Sequence, residues 1–201
     1  MKHPKLFSPI AITPQCILKN RLIKTGQSTW LWNEDGTADG SRGIDLYENI
    51  AKGGAAAVII GGCAMEATPG IYLGLYDDRF LSGFEKLARS IHAHGACLSV
   101  QLHHAGRQTV SAFLDGRRPV APSPLPCPVC GEVPEELSEA DILLLAERFG
   151  EAAERAQRAG ADAVEIHGAH GYLVAEFMSS YSNRRSDAFG GSLENRMRFP
   201  R

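Results

Sequence analysis

Two histidines and a tyrosine stand within six residues, His167, His170 and Tyr172, in the stretch VEIHGAHGYLVAEF from Val164 to Phe177. Imidazole N–H groups donate hydrogen bonds to an oxygen that gains negative charge, a phenol can pass on a proton, and imidazole nitrogens ligate metals. The i, i+3 spacing permits a metal, but no third ligand is near in sequence, and zinc sites use at least three protein ligands. A polar loop between two buried elements is the plain alternative for the histidines, and packing at a helix start is the plain one for Tyr172. Two more polar groups follow apolar runs: Gln101 in VQLHHAGR, and Thr25, Gly26, Gln27 and Ser28 in KTGQSTW. The single C-x-x-C, Cys127 and Cys130 in PCPVCGEVP, is half of a zinc or iron–sulfur motif. It reads first as two thiols in a long loop, free or occasionally oxidised, with Cys127 and Cys130 kept as weak metal candidates.

These residues must be positioned by the elements before them. NRLIKTG (Asn20 to Gly26) predicts a short strand, AAAVIIGG (Ala55 to Gly62) a strand buried on both faces, ACLSVQL (Ala96 to Leu102) a third and DAVEIH (Asp162 to His167) a fourth. Helices are predicted between them. SRGIDLYENIAKGG has Ile44, Tyr47, Ile50 and Ala51 on one face and ends at Gly53-Gly54. A second helix runs from about Ser82 to His94. A third has Ser138 as N-cap, Asp141 at N3 and Gly160 as C-cap. A further helix is expected to start near Ser192, and SPIAITPQCILKN predicts a hairpin that caps the bottom of the structure.

The order is β-α-β-α-β-α-β-α, which builds a parallel sheet with helices outside it. Short, similar strands suit a (β/α)8 barrel of TIM type, of which about the first four β/α units are present. A doubly wound open sheet is the alternative, but KTGQSTW supplies no glycine-rich fingerprint after strand one. In a barrel the polar groups named above all fall at the C-terminal ends of strands, where barrels carry their sites. Gly62 is expected to end strand two, and its missing side chain lets a flat ligand approach the backbone. Glu165, the one nearby carboxylate, is expected to point away from His167. A mouth rich in neutral donors suits a polar, electron-accepting ring better than a divalent cation.

Composition narrows the classes. The chain has 201 residues, a formal charge of −2 and 44% hydrophobic residues, enough for a real core. There is no basic stripe that would point to nucleic acid, no apolar run of about 18 residues that would span a membrane, and no apolar segment in MKHPKLFSPI that would mark a signal peptide. Cys16, Cys63 and Cys97 sit in apolar runs, as reduced core cysteines of a cytoplasmic protein do.

The motifs LKNRL, VQLHHAGR, APSPLP, VEIHGAHGYLVAEF and SNRRSDAFGGSLENRMRF together give a resemblance. The chain resembles the old yellow enzyme family of flavin-dependent NAD(P)H oxidoreductases, which includes 2,4-dienoyl-CoA reductases and trimethylamine dehydrogenase. The resemblance runs from LFSPI to Arg201. It implies FMN as cofactor and NAD(P)H as electron donor. It implies that Thr25, Gly26, Gln27 and Ser28 lie along the flavin, with Ser28 where the family often has Thr or Cys. Gly62 would lie under the ring, and Gln101 would bond its pyrimidine edge. It further implies that His167 and His170 bind the carbonyl or nitro oxygen of the substrate, and that Tyr172 donates the proton in reduction of an activated C=C bond. The implied partner is a small molecule such as an α,β-unsaturated carbonyl compound, with no nucleic acid and no membrane; self-association to a homo-oligomer is a further expectation.

Residues 1–201 are thus expected to form one domain, the truncated N-terminal half of an FMN-binding barrel. The phosphate site of such barrels is built by the loops after strands seven and eight. An iron–sulfur cluster is expected only of a longer parent. Two readings follow: an ene-reductase-like flavoenzyme, or a catalytically inactive half-barrel that at most self-associates through its unpaired edge strands. The five arginines of NRRSDAFGGSLENRMRFPR invite a substrate-anion reading. An architectural one is preferred, in which Gly190-Gly191 turns the chain, Ser192 caps a helix, and Glu194 pairs with Arg198.

Overall fold

The structure is a computed structural model that describes residues 3–14, 16–65 and 72–201. A hairpin comes first: β1 (Ile10–Ala11) runs antiparallel to β2 (Ile17–Leu18). Leu18 packs with Ala56 and Ala57, and Ile10, Cys16 and Cys97 close around them, so the hairpin sits at the N-terminal ends of the main strands, the expected bottom position.

The later strands are β3 (Ile23–Lys24), β4 (Ala57–Ala64), β5 (Leu73–Gly74), β6 (Cys97–His103), β7 (Val120–Ala121), β8 (Glu135–Glu136) and β9 (Ala163–Ile166). The helices are α1 (Arg42–Lys52), α2 (Leu81–His92), α3 (Glu139–Arg158), α4 (Leu173–Met178) and α5 (Leu193–Arg196). The main sheet is parallel and keeps chain order, β3-β4-β6-β9, with β5 added on β4. Strands laid down in sequence order form a barrel wall, whereas a doubly wound sheet reverses its order at a switch point. The wall does not close: this is a half-barrel, with β3 and β9 as its edges.

The elements form for ordinary reasons. β4 reads AVIIGGCA and is buried along nearly its whole length. α2 turns Phe84, Leu87, Ala88 and Ile91 inward, each large apolar side chain contributing about 1.5–3 kcal/mol on burial. α1 buries Tyr47 and Ala51, with Ile44 and Ile50 packed at the margin of the same core. α3 opens on the predicted capping box: the Ser138 hydroxyl accepts from the Asp141 N–H at 3.1 Å, and the Asp141 carboxylate accepts from the Ser138 N–H at 3.1 Å. Gly160 stands one residue beyond the C-cap, Ala159.

Three features depart from expectation. β3 is shorter than Asn20–Gly26 because the Asn20 side chain accepts from the Leu22 N–H (2.9 Å) and donates to the Gly54 carbonyl (2.8 Å), which holds the entry as a turn. The residues after Lys24 then leave the sheet. β4 runs past Gly62 to Ala64: Ile60 is level with Val100 but Cys63 with Leu102, so one extra residue is inserted at Gly61-Gly62. This is a β-bulge, and Gly62 has φ +68°, which only glycine adopts without cost. α4 was outside the predicted elements. It is six residues long, and Leu173 and Phe177 join Leu137, Ile142, Leu145 and Phe189 in a second apolar cluster.

The arginine-rich segment is architectural. Asn183 donates to the Phe177 (2.9 Å) and Phe189 (2.8 Å) carbonyls, and Arg185 donates to the Asp187 carboxylate and to the Pro122 and Leu137 carbonyls. Ser192 caps α5 by accepting from the Asn195 N–H. The Glu194–Arg198 pair is corrected: α5 ends at Arg196, Arg198 lies beyond its last turn, and its Nε donates to Asn195 instead (3.2 Å). No ion pair joins Glu194 to Arg198 among the described residues.

Candidate functional site

A cavity of about 470 Å³ opens at the C-terminal ends of the four main strands. Its lining contains every residue singled out at the strand ends: Thr25, Gly26, Gln27 and Ser28 after β3, Gly62 in the β4 bulge, Gln101 on β6, and His167, His170 and Tyr172 after β9. Cys127 and Cys130 are not among its lining residues.

The local folding explains the convergence. A Cβ at Gly61 would lie 2.2 Å from the Gln27 backbone nitrogen, so only glycine lets the strand-one loop lie against the bulge. A Cβ at Gly26 would overlap the Gln101 amide at 2.6 Å. The Tyr47 hydroxyl, rising from α1, donates to the Gln27 carbonyl at 3.2 Å, and its ring stacks on Trp32. Burial pushes that phenol up to about 12, so it stays a donor. On the far side, the His167 N–H donates to the Leu102 carbonyl (3.0 Å) and the Leu173 N–H to the His104 carbonyl (3.2 Å), which fix the loop between β9 and α4. Tyr172 is the N-cap residue of α4.

The ring nitrogens can be assigned from their partners. The Ala169 N–H donates to His167 Nδ1 at 3.3 Å, so a neutral His167 carries its proton on Nε2. That nitrogen faces His170 Nδ1 at 3.3 Å. His170 Nδ1 then accepts, and its Nε2–H is left to donate. Burial, with His170 alongside, holds His167 below the usual histidine range, which keeps it neutral. His170 itself has φ +57°, a left-handed backbone rare for a non-glycine residue, and such strain is typical of functional positions.

Three lining residues lay outside expectation. His103 is 3% exposed, and neither ring nitrogen has a hydrogen-bond partner. It stands edge-on to Tyr172 (4.3 Å between ring centres) and to Tyr72 (4.7 Å). Burial, with His167 and His104 nearby, lowers its pKa to about 3. Tyr72 lines the cavity with Tyr172, and burial, with Tyr172 nearby, raises its pKa. Glu165 lines the same cavity as His167, because residues i and i+2 of a strand share a face; the expectation that it points away is corrected. Gln101 Nε2 donates to Glu165 Oε1 at 2.5 Å. The sequence carried the signal for Glu165 and His103, each two residues from an expected site residue on one strand. Tyr72 had none, since its loop has no periodicity.

Among the described residues no group of three or more His, Cys, Asp or Glu can hold a metal. No lysine or arginine is among the described residues that line the cavity. What the wall offers is amide, hydroxyl, imidazole and phenol groups, with the Glu165 carboxylate held by Gln101, around a surface kept low by glycines, which fits a flat polar ring. It offers no cation for a phosphate.

Known proteins resemble this chain in sequence and fold. Residues 5–201 match the family model described as NADH:flavin oxidoreductase / NADH oxidase. An NADH oxidase of Thermoanaerobacter brockii is 43% identical over all of this chain, which spans 31% of that protein. An NADPH dehydrogenase of a Geobacillus strain is 39% identical over 96% of the chain, which spans 56% of its length. Among solved structures, morphinone reductase in complex with tetrahydroNAD superposes with a TM-score of 0.89 at 29% identity, over 98% of this chain and 58% of that one. A 2-naphthoyl-CoA reductase complex gives 0.90 at 29% identity, over 100% of this chain and 32% of that one. The chain therefore spans between 31% and 58% of these relatives, and it belongs to the NADH:flavin oxidoreductase / NADH oxidase family, the old yellow enzymes.

Proposed function

We propose that this chain forms, as one unit, the N-terminal half of an FMN-dependent NAD(P)H oxidoreductase that reduces activated C=C bonds. The observation that carries this reading is the single cavity in which the glycine-floored strand ends meet His167, His170 and Tyr172. Thr25, Gly26, Gln27, Ser28, Gly62 and Gln101 would hold the flavin ring, and FMN bound there would supply a hydride for the β-carbon of the substrate. The rest of the work belongs to the side chains. The substrate oxygen gains negative charge as the hydride arrives. His170 Nε2–H donates to it, and the His167 Nε2–H, which faces His170 Nδ1 in the free site, turns to the same oxygen when substrate binds. Each well-placed donor contributes about 3–4 kcal/mol to the barrier reduction. Tyr172 gives its hydroxyl proton to the α-carbon, a step worth about 10²–10⁴ in rate, and Tyr72, packed with it around His103, helps to orient that side chain.

The substrate is a small molecule of the α,β-unsaturated carbonyl type, and no helix among the described residues is long and apolar enough to cross a membrane. The thiols of all five cysteines are free, in keeping with a cytoplasmic location. The missing cation at the cavity leaves the FMN phosphate to be met elsewhere in a longer protein or in a second copy.

FMN titration followed by visible absorbance tests the binding reading for this chain; a protein that stays colourless overturns it. In the longer enzyme, Tyr172→Phe should leave flavin reduction by NAD(P)H intact and slow alkene turnover. Unchanged alkene turnover would remove Tyr172 from its role.

A further inference from the structure

The C-x-x-C lies apart from the cavity, in the loop between β7 and β8, and nothing in the proposed reaction uses it. The loop is built rather than loose. The Gly131 N–H donates to the Cys127 carbonyl at 2.8 Å, closing a turn that Gly131 completes at φ +79°. Before the turn, Arg107 donates from Nη1 to the Leu125 (3.1 Å) and Pro126 (3.3 Å) carbonyls. After it, the Glu132 carboxylate accepts from the Ser111 N–H (2.9 Å) and hydroxyl (3.0 Å). The turn places Cys127 and Cys130, three residues apart, at its two ends. Cys127 is buried, and Cys130 is partly exposed.

The two sulfurs are electrostatically unequal. Burial works against a charge on Cys127, but the N–H groups of Cys130 and Val129, the Cys130 thiol and Arg107 outweigh it and hold that thiol below its usual range. Burial raises the Cys130 thiol, and Cys127 and Glu132 add to the effect. A second pair of thiols, Cys16 and Cys97, makes the contrast. They pack around the same apolar cluster under the hairpin, and burial, with Asp162 and Cys16 nearby, pushes Cys97 up to about 11. No third ligand accompanies either pair among the described residues, so a metal site is not what the turn provides.

We propose that Cys127 and Cys130 are a reversible dithiol–disulfide pair that exchanges with low-molecular-weight disulfides. Cys130, the reachable sulfur, loses its proton and attacks one sulfur of the small disulfide; a Cys130–SR bond forms, the S–S bond breaks, and one thiol RSH leaves with that proton. The Cys127 thiolate then attacks Cys130 Sγ, the bond to SR breaks, and a second RSH leaves with the proton from Cys127. The protein gives up two electrons and two hydrogens, and the small disulfide takes both. A thiolate stabilised by backbone amides and an arginine is well suited to the second step, because exchange depends on the thiolate fraction of the attacking sulfur.

The test is thiol mapping of the full chain. The purified, reduced protein is incubated with oxidised glutathione, free thiols are trapped with a maleimide, and peptides are mapped by mass. The expected result is a loss of two hydrogens in the peptide carrying Cys127 and Cys130, with Cys16, Cys63 and Cys97 alkylated, reversed by dithiothreitol. Cys127→Ser should stop at a single glutathionyl group on Cys130, and Cys127→Ala serves where the serine variant folds poorly. Retention of all five free thiols overturns the proposal. So does a bridge at Cys16–Cys97 with the other pair free, or one bound zinc per chain that protects Cys127 and Cys130.

Discussion

Two polar-rich parts of the molecule, the Asn183–Ser192 segment and the wall of the cavity, are built on opposite principles. From Asn183 to Ser192, polar side chains spend their hydrogen bonds on the protein itself. Asn183 ties two carbonyls, Arg185 ties two carbonyls and a carboxylate, and Ser192 caps α5. On the cavity wall, among His103, His167 and His170, capacity is left over. Both nitrogens of His103 are unpartnered, His170 retains a free donor, and its backbone is strained. Saturated polar groups hold a fold; unsaturated ones cost stability and persist where a ligand completes them. Residue type does not separate the two parts, but the count of unused donors does.

The largest test breaks the saturated side. Arg185→Ala removes a nearly buried cation from Asp187 and two carbonyls, and should cost about 3–5 kcal/mol, read as a drop in Tm. A loss under about 1 kcal/mol would show that this segment is not the staple described.

Buried titratable groups near the cavity come next, through pH. Burial raises Glu176 on α4 to about 8, against the opposing contacts of Arg107. Its carboxyl keeps a proton in the fold that it sheds in the unfolded chain, so stability is full below about 4.5 and is lost as pH rises through 8. Glu176→Gln should flatten that decline, a difference of up to a few kcal/mol in urea melts at pH 8 against pH 5. His103 works with the opposite sign. Its pKa falls from 6.5 to about 3, so the fold excludes a proton that the unfolded chain accepts, and stability is lost as pH falls from 6.5 toward 3. His103→Phe should remove much of that acid loss and leave stability at pH 7 level or higher by about 1 kcal/mol, since two orphaned nitrogens go. Marked destabilisation at pH 7 would place His103 with the staple instead.

The smallest effect sharpens the comparison from outside both regions. Glu194→Gln should change Tm by less than about 0.5 kcal/mol equivalent, because the helix it was expected to brace ends before Arg198.

These cases also show what a sequence makes legible. α3 was readable because a capping box, a twenty-residue amphipathic run and a terminal glycine agree. The strand ends were readable because β-branched runs stop abruptly at polar residues. Glu165 was misplaced although strand periodicity determines its side, and the Glu194–Arg198 pair assumed a helix longer than four residues. Tyr72 and α4 follow from tertiary packing: one reaches the cavity from a loop without periodicity, the other is too short to announce itself.

The bulge in β4 sets a phase. Ahead of Gly61-Gly62 the strand is in step with β6 residue for residue, and beyond them it is one residue behind, so Cys63 and Ala64 meet Leu102 and His103 and also present the edge on which Leu73 and Gly74 pair. Chain length at this point therefore acts as a setting. Removing one of the two glycines would turn every side chain downstream on β4 to the opposite face, and would move the Tyr72 segment out of alignment with the histidines it now adjoins. Surface loops in general tolerate changes of length; in the second strand of the wall the count itself is part of the site.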